Sequence, residues 1–126
     1  MYAETDFLLA LIKDDDWLGD AAESVYEEHA DDLWTSQFTL AELLMVAYRE
    51  DRDVERVVTN ATSLVTVRGD ETAIVAAATY VNEHGLTPFD AIHFVMADGD
   101  TIVSSDDSYD GLIPRLDLRE DRPGEP

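Results

Sequence analysis

The sequence predicts an α/β domain of three layers (α/β/α), with helices on both faces of a mainly parallel sheet of roughly five strands. Three observations lead there. Short apolar segments alternate along the chain with longer ones whose apolar residues recur at helical spacing. A length of 126 residues fits one domain and leaves little room for a second. With 45% hydrophobic residues the chain can bury a core, so it is not a disordered acidic tail.

The elements follow in order. Residues 1–5 suit a short, buried first strand. Phe7–Ile12 is too apolar for a surface helix and predicts a short buried one, broken by Asp14, Asp15 and Asp16. From Trp17 to Ala30, Leu18, Ala21, Ala22, Val25 and Tyr26 line one face of a helix, with Asp20, Glu23, Glu27 and Glu28 outward. Leu33–Thr35 reads as the second strand. Thr39–Glu50 is a helix with Leu40, Leu43, Leu44 and Ala47 on one face; Asp53–Ser63 is another, carrying Val54, Val57, Val58 and Ala61. Leu64–Val67 is the third strand. Glu71–His84 is helical and closes at Gly85, where a left-handed residue is expected. Pro88–Ala97, nearly all apolar, is a buried helix, and Thr101–Val103 is the fourth strand. Arg115–Leu118 is a fifth, at an edge. That leaves a single domain over residues 1–118 and a polar, flexible tail over 119–126. Trp17 and Trp34 are expected in the core.

Charge separates the function classes. There are 29 acids against 8 Lys plus Arg, a net charge of −21, and Lys13 is the only lysine. The acids run along the whole chain, so the surface itself is acidic. Such a surface repels itself in dilute salt, but at molar salt the Debye length is about 3 Å and the repulsion is screened. We read a halophilic adaptation, of the haloarchaeal kind. With no cysteine, a disulfide scaffold, thiolate metal sites and a cysteine nucleophile are excluded. No apolar run approaches the roughly 18 residues of a membrane span. The acidic start, Met1 to Asp6, lacks the basic flank of a signal peptide, so a cytoplasmic protein is expected. Taken alone, the charge argues against nucleic-acid binding.

Four acids stand apart from this coat. In parallel sheets, sites gather at the carboxyl ends of the strands. Asp6 follows the first strand and Asp106 the fourth. Glu42 and Asp90 lie in the first turns of helices that begin at the same edge. Each has a bland explanation: Thr39–Glu42 and Thr87–Asp90 are helix-capping patterns, and Asp6 and Asp106 suit a cap and a turn. The coincidence of all four on one rim favours a site. Carboxylates gathered beside apolar runs repel, so a proton or a cation must hold them together. An all-oxygen ligand set suits Mg²⁺ or Mn²⁺.

These segments resemble a known family. Glu4-Thr5-Asp6-Phe7-Leu8-Leu9, Leu40-Ala41-Glu42-Leu43, Thr87-Pro88-Phe89-Asp90-Ala91-Ile92 and Val103-Ser104-Ser105-Asp106-Asp107-Ser108-Tyr109-Asp110 are similar to the four motifs of PIN domains, closest to the VapC-type toxin nucleases. The resemblance spans residues 1–118 in order and spacing. It implies a parallel sheet between helices and Mg²⁺- or Mn²⁺-dependent endonucleolytic cleavage of RNA. The family's metal-site acids carry over to Asp6, Glu42, Asp90 and Asp106. Asp6 and Asp90 are then central ligands and Asp106 a third, with Asp107 and Asp110 as alternatives for that contact. Glu42 binds through water or acts as general base. Ser104 and Ser105 match positions that orient a ligand or its water. The resemblance also implies a small antitoxin protein as partner and a homodimer.

Among the remaining residues, His93 reads as a core histidine or a support for the ligands. Arg49, Arg52 and Arg56 read as surface ion pairs, and Arg68, after the third strand, as a phosphate contact. A non-catalytic PIN-like scaffold is the second reading. A phospho-acceptor receiver is the third; it needs a lysine at the rim, and Lys13 lies beyond the short first helix.

Overall fold

The computed structural model describes residues 1–119. Five strands, β1 (Tyr2–Ala3), β2 (Trp34–Ser36), β3 (Thr66–Arg68), β4 (Ile102–Ser104) and β5 (Arg115–Asp117), form one sheet in the order β3-β2-β1-β4-β5. Every pairing is parallel. Six α-helices connect them: α1 (Thr5–Ile12), α2 (Gly19–His29), α3 (Gln37–Arg49), α4 (Val54–Leu64), α5 (Ala73–His84) and α6 (Pro88–Ala97).

Successive strand side chains face opposite sides of a sheet, and the core divides accordingly. Ala3 and Val103 pack with Phe7, Leu8, Val25, Leu43, Ala47, Val57 and Ala61 from α1 to α4. Tyr2, Trp34 and Ile102 pack with Ala73, Met96 and Ala97 from α5 and α6. This gives the three layers the sequence predicts. The order reverses at β1, with β2 on one side and β4 on the other. The crevice at the carboxyl ends of β1 and β4 is therefore the topological switch point where such sheets place ligands.

Local chemistry moves several boundaries. The first strand is only Tyr2–Ala3, so α1 begins at Thr5 with Glu4 at its cap. Ser36, not Thr39, caps α3. Its side chain accepts the Thr39 N–H at 3.3 Å, and the helix starts at Gln37, two residues early. The Thr39–Glu42 capping pattern is thus unused. Trp17 is 67% exposed and not core. Asp16 holds the Leu18 N–H at 2.9 Å in a turn there, which delays α2 to Gly19. Trp34 is buried, its ring edge-on to Tyr2 with centroids 5.0 Å apart. Gly85 closes α5 at φ +67°, which a side chain rarely tolerates. Of the expected tail, Arg119 donates its N–H to Asp117, and residues 120–126 lie outside the described residues. Among the described residues no helix is long and apolar enough to cross a membrane.

Candidate active site

At the switch point, β1 ends and the chain turns straight into α1, which brings Glu4, Thr5 and Asp6 to the carboxyl edge. Glu4 is 7% exposed and accepts the Ser104 hydroxyl. Asp6 Oδ2 accepts the backbone N–H of Ser105 at 2.8 Å and its hydroxyl at 2.5 Å. The other oxygen, Asp6 Oδ1, is buried with no hydrogen-bond partner. Buried carboxylate oxygens are rarely left so.

Glu42 lies in the second turn of α3. Its Oε1 accepts the Thr5 hydroxyl and lies 2.8 Å from His93 Nε2. His93 is fully buried, and its Nδ1 lies 2.7 Å from the Tyr2 hydroxyl. Asp90 stands in the first turn of α6, where Pro88 fixes the helix start. Tyr109 and Ser108 donate to its two oxygens at 3.3 and 3.5 Å. Asp106 follows β4 and caps a single 3₁₀ turn, Asp107–Tyr109, accepting the Ser108 N–H at 2.9 Å. Its own N–H donates to Ser104 Oγ at 2.9 Å. Arg115 secures this loop from β5 by donating to the Ser104 carbonyl at 3.1 Å.

The electrostatics are uneven. Burial pushes the Glu4 carboxyl well above its usual range, and the neighbouring Asp6 adds to it. Burial also raises Asp6, against the pull of the Ser105 hydrogen bonds. Asp90 is raised by burial too, with the charge of Asp106 adding. Glu42 behaves oppositely. Its burial alone would raise it, but the hydrogen bonds from His93 and Thr5 outweigh that and hold it low. Arg49, two turns along the same helix, assists by its charge. Burial lifts the Tyr2 hydroxyl to about 12.

The structure therefore brings Asp6, Glu42, Asp90, Asp106, Ser104 and Ser105 to one edge. It does not bring Arg68 or Asp110 there. The Arg68 guanidinium lies 4.3 Å over the Trp34 ring, which turns it back along the sheet. Asp110 is exposed, and both its oxygens are held by Arg115, at 2.8 and 3.0 Å. The sequence reading missed Glu4. The sequence places Glu4 inside the first strand, although an acid directly after Tyr2-Ala3 carries the same signal as Asp6.

These residues fit a hard divalent cation. The donors are carboxylate oxygens, one buried oxygen of Asp6 lacks a partner, and burial, with neighbouring carboxylates adding, raises three carboxyls. One donor atom each from Glu4, Glu42 and His93 also fall within 4.8 Å of one another.

A family model described as PIN domain matches residues 1–110. No curated protein matches the chain. Several solved structures share the fold. One is a toxin–antitoxin complex from Klebsiella pneumoniae, with TM-score 0.72 and 16% identity, covering 93% of this chain and 96% of that one. Another is VapC20 of Mycobacterium tuberculosis, a sarcin–ricin loop cleaving toxin, with TM-score 0.67 and 18% identity, covering 80% and 85%.

Proposed function

The chain belongs to the PIN domain family, and from that premise we propose that it is a metal-dependent endoribonuclease, the toxin of a toxin–antitoxin pair. The observation that carries the reading is the unpartnered, buried Asp6 oxygen among carboxyls that lack enough positive charge of their own. Glu4, Asp6 and Asp90 would hold Mg²⁺ or Mn²⁺, with Asp106 as a direct or water-mediated contact. When bound, such a cation lowers the pKa of its water and neutralises charge on the phosphoryl group. Glu42, kept ionised by His93 and Thr5, would orient the attacking water by accepting a hydrogen bond from its O–H. Ser104 and Ser105 hold the Glu4 and Asp6 carboxylates in place.

The remaining acids read as a hydrated coat suited to a salty cytoplasm. RNA is then held through the cation and a few arginines, of which Arg49 is nearest in charge to Glu42. Few phosphate contacts mean a shallow salt dependence. A small antitoxin would silence the site by placing an arginine or lysine among the acids, and a homodimer completes the partners the family resemblance implies.

The test is cleavage of total RNA by the purified protein in molar KCl, with Mn²⁺ or with EDTA. Asp6→Asn and Asp90→Asn should each lower cleavage by at least about 100-fold while circular dichroism stays unchanged. Equal cleavage in EDTA would sink the mechanism. Metal binding without hydrolysis of any RNA would favour the scaffold reading instead.

A further inference from the structure

Glu42 has two oxygens, yet both of its hydrogen bonds fall on one. Thr5 Oγ1 donates to Oε1, and His93 Nε2 lies 2.8 Å from the same atom. Among the described residues no hydrogen bond reaches Oε2.

The chain of contacts behind this bond has only one workable order when the imidazole is neutral. A carboxylate accepts and cannot donate, so the hydrogen must sit on Nε2. Nδ1 is then an acceptor, and the Tyr2 hydroxyl, 2.7 Å away, must donate to it. The Tyr2 oxygen is left to accept from Ser36 Oγ at 2.8 Å, and the Thr39 hydroxyl donates to that oxygen at 3.1 Å or to Nδ1 at 3.5 Å. Tyr2 and His93 are both fully buried, with Tyr2 fixed in the central strand and His93 on α6. Neither ring can turn without breaking a buried bond, which is costly in a dry interior.

We propose that Tyr2 and His93 form a positioning pair for Glu42, which ties up Oε1 and leaves Oε2 as the one oxygen presented to a cation or to its water. The purpose of Oε2 rests on the nuclease reading; the order of the hydrogen bonds does not. A competing arrangement has His93 Nε2 itself take the cation, as its distance from Glu4 and Glu42 permits. That arrangement requires a bare Nε2 and breaks the bond to Glu42.

Three substitutions separate the possibilities. His93→Gln puts an amide N–H where Nε2 stood and keeps a donor to Glu42. His93→Asn reaches only the Nδ1 position, beside Tyr2. His93→Leu removes both. Calorimetric titration of the full chain with Mn²⁺ should show His93→Asn and His93→Leu weakened about 10- to 100-fold, with His93→Gln within about 3-fold of the unaltered protein. Thermal unfolding in EDTA provides the control: packing loss alone would place His93→Leu, close to His in volume, above His93→Asn, whereas loss of the donor weakens both. Equal weakening by all three overturns the proposal and favours direct ligation by His93. A cation-free readout is the ¹⁵N spectrum of the His93 ring in EDTA. The Nε2–H tautomer supports the proposal; the Nδ1–H tautomer overturns it. If the unaltered protein binds no Mn²⁺, the nuclease reading fails, and the tautomer alone decides the hydrogen-bond order.

Discussion

Asp100 and Glu4 sit at opposite ends of the same central strands, and their carboxyls are pushed in opposite directions. Asp100, just before β4, meets the Met1 ammonium at 2.9 Å, the Trp34 indole N–H at 2.9 Å and the Thr101 N–H at 2.8 Å. Burial would raise it, but these partners outweigh that and hold it below the usual range. At the carboxyl end, burial raises Glu4, Asp6 and Asp90, and the hydroxyl and amide hydrogens they receive bring too little positive charge to offset it. One edge is balanced within the chain. The other reaches balance only with protons or with a cation from outside, and that is what separates a structural acid from a candidate site acid.

The largest expected effect follows from removing one uncompensated charge. An acid whose folded pKa is raised binds more protons folded than unfolded, so its contribution to stability is present at low pH. It is lost as pH rises from the ordinary carboxylate value of about 4 through the folded one. The metal-free protein should therefore melt higher near pH 5 than near pH 8. Glu4→Gln should flatten that slope and be the more stable form near pH 8. Mn²⁺ at about 100 times its Kd should stabilise the unaltered protein at pH 8 by about 2.7 kcal/mol. Thermal melts in EDTA and in Mn²⁺ measure both. A Glu4→Gln variant that keeps the full slope would assign the pH dependence to the general acidic coat.

Asp100→Asn tests the balanced edge. Its lowered pKa gives the opposite sign: the stabilisation is present above the ordinary carboxylate value and is lost as pH falls through the folded one. The side chain is 42% exposed, so solvent screens the ion pair. A loss of no more than about 1 kcal/mol at pH 7 is expected in urea unfolding, with the Mn²⁺ response unchanged. A lost Mn²⁺ response would mean that the two edges are coupled and that the contrast between them is wrong.

The fold was legible because strand and helix periods differ and the chain alternates between them; α6 was read to the residue because Pro88 and the apolar run fix both ends. Legibility failed where two residues compete for one role. Thr39 heads a capping pattern with Glu42, yet Ser36 accepts the Thr39 N–H and caps α3, while the Tyr2 hydroxyl engages both side chains. Glu4 was hidden because a strand of two residues has no detectable period, so nothing marked where it stops. Arg68 lies at a strand end as expected, but the sequence could not reveal that Trp34, across the parallel pair β2–β3, draws its side chain back. The network on Glu42 joins Tyr2, Thr5, Ser36 and His93 from three regions of the chain, and no local pattern encodes such a meeting.

The finest test of the contrast lies within one loop, where Asp106 and Asp110 stand four residues apart in sequence with opposite surroundings. Asp106 lies close enough in charge to raise Asp6 and Asp90. Asp110 is held low by its two bonds to Arg115. Asp110→Asn should leave both the fold and RNA cleavage nearly unchanged, because Arg115 keeps Asp117 at 3.1 Å and the Ser104 carbonyl at 3.1 Å. Asp106→Asn retains an oxygen to accept the Ser108 N–H, so the 3₁₀ turn should persist while the charge at the rim falls by one. Cleavage and Mn²⁺ affinity should then drop for Asp106→Asn alone. Were Asp110→Asn the more damaging of the two, the acid paired within the chain would be the functional one, and counting each carboxylate's internal partners would no longer identify the site.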